Sequence, residues 1–308
     1  MLLGCLCGLF VPLMLFGQEV NAAKNPAVGM PLSTLLPAMA MYGGLAVVLI
    51  WLGIGSITAR RWARALLLIF SWSWLVMGVC MTGVMAIALP NALVAPQPSV
   101  HGMTPAVMAG IMVVTFIFLF IFFIAVPLVW ILFYQSRNVK ATCEARHPAP
   151  GWTDRCPLPV LAVCIWLGFS VPTLLVMCFM AHPVMALFGT FLTGAPAAIV
   201  YVVMAAIWGY GAWSLYRLEP LGWWIVTIAM CVMSASSLIT FSRHNMMEMY
   251  QQMQMPAAQL NLLQHSPLLE GNRMLILMCV SIVVFLGYLL FIRRYIRSQP
   301  QLPPAAEG

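Results

Sequence analysis

Charge is what this chain has least of. Seven of its 308 residues are acidic and 14 are basic, so charged residues make up only 7%, where soluble domains ordinarily carry about 25%. No Asp, Glu, Lys, Arg or His falls in the interior of any of the long apolar runs described below. Ionisable groups are costly inside a bilayer, and where they occur they mark proton relays, ion-coupled sites and voltage sensors. Their absence argues against a carboxylate-coupled pump or antiporter. With no mid-membrane histidine, paired axial ligands for an embedded haem are argued against too. There is no H-E-x-x-H helix, no G-x-S-x-G turn and no Walker loop, and the connecting segments leave no room for a soluble catalytic domain. The expectation is a protein that is not an enzyme.

A disulfide framework is also missing. Of nine cysteines, Cys5, Cys7, Cys80, Cys164, Cys178, Cys231 and Cys279 fall within apolar runs, where they act as small packing residues. Only Cys143 and Cys156 lie in a loop.

What is present is apolar surface. Hydrophobic residues reach 63% and the mean hydropathy is +0.98. The charges sit in short clusters between continuous apolar runs of about 20 residues, the length that crosses a bilayer core as helix. Continuous rather than alternating runs read as helix, not barrel strand. The predicted fold is therefore all-α and transmembrane, an eight-helix bundle with spans at 1–17, 34–57, 65–89, 105–134, 158–181, 197–216, 221–242 and 274–292. The first run has a secretory-signal alternative, because Val20-Asn21-Ala22-Ala23 resembles a cleavage region; it lacks the basic segment such signals carry.

Basic residues set the orientation. Arg60, Arg61 and Arg64, then Arg137, Lys140, Arg146 and Arg155, then Arg217, and finally Arg293, Arg294 and Arg297 fall on one side of these spans; Lys24, Arg243 and Arg273 fall on the other. The positive-inside rule makes the first side cytoplasmic and puts both termini there. The net charge of +7 is thus a topological signature and does not indicate nucleic acid.

The two halves echo one another. Gly53-Ile54-Gly55 followed by Arg61 matches Gly209-Tyr210-Gly211 followed by Arg217, at an offset of 156, and Gly8-Leu9-Phe10-Val11-Pro12 matches Gly168-Phe169-Ser170-Val171-Pro172 at an offset of 160. Four spans per half keep orientation, which predicts two parallel repeats. The expected organisation is a first repeat at 1–139, a cytoplasmic loop at 140–157, a second repeat at 158–298 with an outer-side segment at 243–272, and a disordered tail at 299–308. Glycines in the repeated motif let backbones approach closely. Trp51, Trp62, Trp208, Trp213, Trp223 and Trp224 flank it as an aromatic belt. Ser234-Ala235-Ser236-Ser237 reads as a close-packing face, and Pro12 and Pro172 as kinks.

Candidate sites lie outside the spans. On the outer side lie His101, His182, His244 and His265, and the first three sit close to methionines, notably Met185, Met247 and Met249. Thioether with imidazole is the ligand set that selects Cu(I), so His101, His182, Met185, His244, Met247 and Met249 form a candidate copper site. The competing reading is a surface helix over 245–264, with Met246, Met249, Tyr250 and Met253 on one face. In the cytoplasmic loop Cys143, His147, Asp154 and Cys156 offer a tetrahedral zinc set, although their spacing lacks the usual C-x2-C pair. The connection 182–196, HPVMALFGTFLTGAP, is too apolar for a solvated loop and reads as a re-entrant or interfacial segment.

The stretch VKATCEARHPAPGWTDRCPLPVL, with GSITARRWARALLL before it and YQQMQMPAAQL after it, resembles a family of uncharacterised bacterial multipass inner-membrane proteins. The resemblance implies a bacterial inner-membrane setting and brings no activity and no site residues. The expected role is an accessory or scaffold subunit whose partners are the lipid bilayer and other membrane subunits. A permease or channel for a neutral solute and a Cu(I)-handling protein are the alternatives; otherwise no cofactor is expected.

Overall fold

The structure, a computed structural model, describes residues 32–94, 105–149, 151–179, 183–253 and 272–297. Within them six helical stretches are long and apolar enough to cross a membrane: Arg61–Gly83, Val113–Gln135, Leu158–Cys178, Ala195–Tyr216, Pro220–Arg243 and Met274–Ile296. A shorter apolar stretch, Tyr42–Ile57, stands beside them. The chain is thus a multi-helix integral membrane protein. Of the eight expected spans, 1–17 lies outside the described residues and 34–57 corresponds to the shorter stretch Tyr42–Ile57, which leaves six candidate spans.

In chain order the elements are α1 (Leu32–Ile57), α2 (Arg61–Val94), α3, α4 (Arg137–Arg146), a 3-10 turn (Trp152–Asp154), α5 (Leu158–Cys178), β1 (Val184–Leu187), β2 (Thr190–Thr193), α6 (Ala195–Tyr216), α7 (Pro220–Arg243), α8 (Met246–Gln252) and α9 (Asn272–Arg297). Helix α3 consists of Pro105–Phe120, a π-helical turn Ile121–Ala125 and Val126–Gln135. Two compact units divide the chain. One holds Met1–Ala86 with Ala95–Arg155, the other Ile87–Val94 with Cys156–Gly308.

The π-helical turn in the first unit follows from one residue. Pro127 has no N–H to give the Phe123 carbonyl four residues back, and its ring would collide with that carbonyl in a regular helix. The helix widens instead, and the Val126 N–H bonds to the Ile121 carbonyl. The freed Phe123 carbonyl lies against Gly78 of α2, where a Cβ would meet that oxygen and sit 2.9 Å from the Phe123 Cβ. Around this contact Trp74 meets Phe70, Phe122, Phe123 and Trp130 edge-on, with ring centroids at 5.4, 5.0, 6.1 and 5.7 Å. Such close fitting matters more here than in a soluble core. Lipid tails are as apolar as leucine, so helix association rests on van der Waals contact and hydrogen bonds.

In the second unit α5 packs on α6, α6 on α7, and α7 on α9. Val160, Leu161, Ala197, Leu215, Val226, Leu289 and Ile292 are buried between them. Trp223 Nε1 donates to the Leu289 carbonyl at 2.7 Å, and the Arg293 guanidinium covers the Trp223 ring at 4.6 Å. Pro172 stands inside α5, as expected of a kink position, whereas Pro12 lies outside the described residues.

The two hairpins that carry the G-x-G motifs close in the same way. After α1, Ala59 adopts a left-handed φ of 52°; its N–H bonds to the Ser56 carbonyl and the Arg60 N–H to the Gly55 carbonyl. After α6, Leu218 has a φ of 61°; its N–H bonds to the Leu215 carbonyl and the Glu219 N–H to the Ser214 carbonyl. Both are Schellman caps without the customary glycine. Leu218 follows Ala59 by 159 positions, so the structurally matching residues are three further apart than the G-x-G motifs themselves. In the first hairpin Gly55 meets the Ala63 Cβ; in the second Ser214 meets Gly222. One small contact is kept, with the glycine on opposite sides.

The connection 182–196 departs from expectation. It holds a two-stranded antiparallel hairpin, with Val184 opposite Thr193, Met185 opposite Leu192, Ala186 opposite Phe191 and Leu187 opposite Thr190. Phe188 and Gly189 form its two-residue turn, at φ 43° and 87°, the paired positive values of a type I′ turn. Pairing the strands satisfies backbone groups that an irregular apolar loop would leave unbonded. The surface helix expected over 245–264 is present as α8, Met246–Gln252; the stretch beyond Met253 lies outside the described residues.

Candidate functional site

The richest polar arrangement in the second unit surrounds the tip of this hairpin. Turn geometry points two backbone N–H groups out of the ladder, and α7 receives both. The Phe188 N–H donates to Ser236 Oγ and the Gly189 N–H to Thr240 Oγ1, each at 2.9 Å. Ser236 and Thr240 are four residues apart, hence stacked on one helix face, and both are fully buried. Thr240 Oγ1 passes its own proton to the Ser236 carbonyl at 2.9 Å, so the hydroxyl chain is complete. The serine run is therefore more than a close-packing face: Ser236 is a polar anchor. On the other side of the hairpin Tyr201 Oη donates to the Val184 carbonyl at 2.6 Å.

His244 closes the arrangement. It caps the C-terminus of α7, with Nε2 3.1 Å from the Gly189 carbonyl and Nδ1 2.7 Å from Glu248 Oε2. Its ring leans on Phe191, centroid to centroid 5.3 Å. Glu248 is held in place by a capping box at the start of α8, where Oε1 accepts from the Asn245 N–H. Its hydrogen bond with His244, and secondarily that with the Asn245 backbone, hold its carboxyl below the usual carboxylate range. Arg243 lies over Gly189, with Nη1 3.2 Å from where a Cβ would stand.

Of the candidate copper ligands, the structure draws four to this end of the unit. Met185 is on β1, Met247 and Met249 are on α8, and β1 packs against α8. His101 and His182 lie outside the described residues. His244 fits a metal poorly, because both ring nitrogens already face acceptor oxygens. A Cu(I) ion would have to displace either Glu248 or the Gly189 carbonyl.

In the first unit the loop end is knit by hydrogen bonds. Arg64 Nε donates to the Tyr134 carbonyl at 2.9 Å, Ser56 Oγ and Tyr134 Oη are 2.7 Å apart, and His147 Nε2 lies 3.3 Å from the Thr58 carbonyl. Asp154 accepts from the Gly151 N–H at 2.8 Å and stands 3.8 Å from Arg61 Nη1. Cys143 is buried, and burial pushes its thiol above the ordinary range although Arg64 and Arg61 pull the other way. In the second unit Cys156 is hydrogen-bonded to Cys164, which draws the Cys156 thiol below its ordinary value. The zinc expectation is thereby corrected: among the described residues no three His, Cys, Asp or Glu side chains gather as a metal site. Each of the four has a structural occupation instead.

Sequence reasoning did not identify Ser236, Thr240, Gly189 or Glu248 as site residues. The signals were there: Phe-Gly between two apolar tetrads, hydroxyls four apart on α7, and N-x-x-E at Asn245–Glu248. Comparison of the chain with known protein families, with curated proteins and with solved structures finds no match.

Proposed function

We propose that this protein is a non-catalytic accessory or scaffold subunit of a bacterial inner-membrane assembly, built as two parallel repeats with both termini in the cytoplasm. The observation that carries this reading is how the spans treat their polar groups. Ser71, Thr115, Ser170, Thr173 and Ser281 each donate to a carbonyl four residues back in their own helix, at 2.7 to 3.0 Å. Hydroxyls used in this way satisfy the membrane's demand for internal bonding and do not line a hydrophilic path. With no ionisable residue in the span interiors, the bundle has little with which to hold a polar solute, which speaks against the permease alternative.

The lateral surface fits a docking role. Val280, Val283 and Val284 of α9 are 55%, 69% and 62% exposed, a smooth β-branched strip beside the buried Leu289 and Ile292. The matching hairpin closures at Ala59 and Leu218 support the two-repeat reading, at an offset of 159. The basic clusters at Arg60–Arg64 and Arg293–Arg297 support the cytoplasmic placement of those ends.

The test is site-specific photocrosslinking in native membranes from Val283, Val284 and the buried Leu289, with liposome flux assays in parallel. A scaffold gives a discrete protein adduct from Val283 and Val284 and none from Leu289, without solute flux. Adducts to lipid alone, or flux of a neutral solute that the protein confers, would sink the reading. In a Cu(I) titration against a competing chelator, His244→Ala is expected to leave any thioether binding unchanged.

A further inference from the structure

We propose that His244, Glu248 and the Gly189 carbonyl form a proton-binding site that latches the β-hairpin to α7 and α8. A carbonyl oxygen and an ionised carboxylate accept hydrogen bonds and donate none. His244 places one ring nitrogen at 3.1 Å from the first and the other at 2.7 Å from the second. Both bonds exist together only when both nitrogens carry protons. With one proton removed, one nitrogen turns a lone pair toward an acceptor oxygen, and one bond becomes a repulsion.

The surroundings isolate this pair. The hairpin, Val184–Thr193, has no titratable residue. Packed against it, α6 brings Tyr201, which donates to the Val184 carbonyl. From α7 comes Arg243, whose guanidinium sits over Gly189, and from α8 come Glu248 and Tyr250. Among the described residues Glu248 is the carboxylate bonded to the ring. Histidine is the side chain whose charge changes between about pH 5 and 8, so the latch is complete on the acid side of that window and opens on the alkaline side. Far below it Glu248 takes up a proton and the pair is lost again.

What the latch controls is set by geometry. Ser236 and Thr240 hold the turn amides at any pH, because hydroxyls do not titrate here. His244 alone ties the turn carbonyl to the junction between α7 and α8. Opening therefore loosens α8 at the hairpin tip, leaving its packing on β1, while the tip stays on α7.

The experiment is hydrogen exchange of the protein in lipid nanodiscs, corrected for intrinsic rates, from about pH 5 to 8.5 across the histidine window. Segments 184–193 and 244–252 are followed, with 197–216 as an internal reference for folding. Protection of both followed segments is expected to fall about two- to fivefold as pH rises, the size that losing a solvent-exposed charge pair gives. His244→Ala should be low and flat across the range. Glu248→Gln should be high and flat, because its amide can donate to Nδ1 of a neutral ring whose Nε2–H still reaches Gly189. Ring nitrogen shifts of His244 in the unmodified protein should show two N–H groups in the protected state. A neutral ring with full protection would overturn the proposal, as would wild-type protection that stays flat or a Glu248→Gln profile that follows wild type.

Discussion

Gly78 shows how much a single hydrogen atom can decide in a membrane bundle. The carbonyl of Phe123 occupies the space where any larger residue would put its Cβ. Gly78→Ala is expected to cost about 1–3 kcal/mol, the range for overpacking a closely fitted site, read as a lower unfolding temperature in detergent. Gly168→Ala is the control, since nothing lies within 4 Å of its Cβ position, and it should be neutral. Ser236→Ala removes the partner of the Phe188 amide and leaves that donor unbonded, at a cost of about 1–3 kcal/mol. Its effect should appear as faster exchange in 184–193. The Cys143 thiol, raised by burial, should react with iodoacetamide slowly at neutral pH and more quickly as the solution is made alkaline. None of these residues announced its role. A glycine or serine in an apolar run reads as small, and only its neighbour in space says what the smallness or the hydroxyl is for.

At the scale of elements, the helices were legible and their irregularities were half legible. Continuous apolar runs located Leu158–Cys178, Ala195–Tyr216 and Pro220–Arg243 to within a few residues, because in a bilayer only helix satisfies so long a run. The expected span at 105–134 was read as unbroken, and the break at Pro127 went unread; its form, a π turn with a carbonyl lying toward α2, depends on Gly78 being opposite. This coupling is testable by a double-mutant cycle. In a Pro127→Ala background the Phe123 carbonyl can return to its own helix, and the cost of Gly78→Ala should shrink. The hairpin at 184–193 escaped notice for another reason. Short apolar runs look alike as strand, helix or loop, and a Phe-Gly turn lacks the Asn or Asp that usually signals type I′. The copper and zinc expectations came from proximity in sequence, which puts imidazole, thiol and thioether together; His244, His147 and Asp154 each spend their donors and acceptors on backbone or on a side chain next to them.

For the whole molecule, the order of crossings makes a prediction that needs no knowledge of residues 1–31. Between Lys140 and Thr190 lies one candidate span among the described residues, Leu158–Cys178, and a crossing there predicts that the two positions face opposite sides of the membrane. Lys140→Cys and Thr190→Cys should react with an impermeant maleimide from opposite faces in oriented vesicles; labelling from one face would remove Leu158–Cys178 as a crossing. The likeness of the two G-x-G hairpins falls at an offset of 156 in the motifs and 159 in the turn geometry, and the hairpin contacts explain how. Gly55 against Ala63 and Ser214 against Gly222 each limit the combined size of two residues, while the Trp62 ring and the Leu215 amide nitrogen crowd the two glycines further. A larger residue on one helix is tolerable once its partner has shrunk. Such positions should drift as pairs over generations, each looking variable alone, while Gly55→Ala is harmful by itself and rescued in part by Ala63→Gly, the Trp62 ring still standing in the way. The history of this bundle would then be written in compensations across its turns, and a search for fixed letters would pass over it.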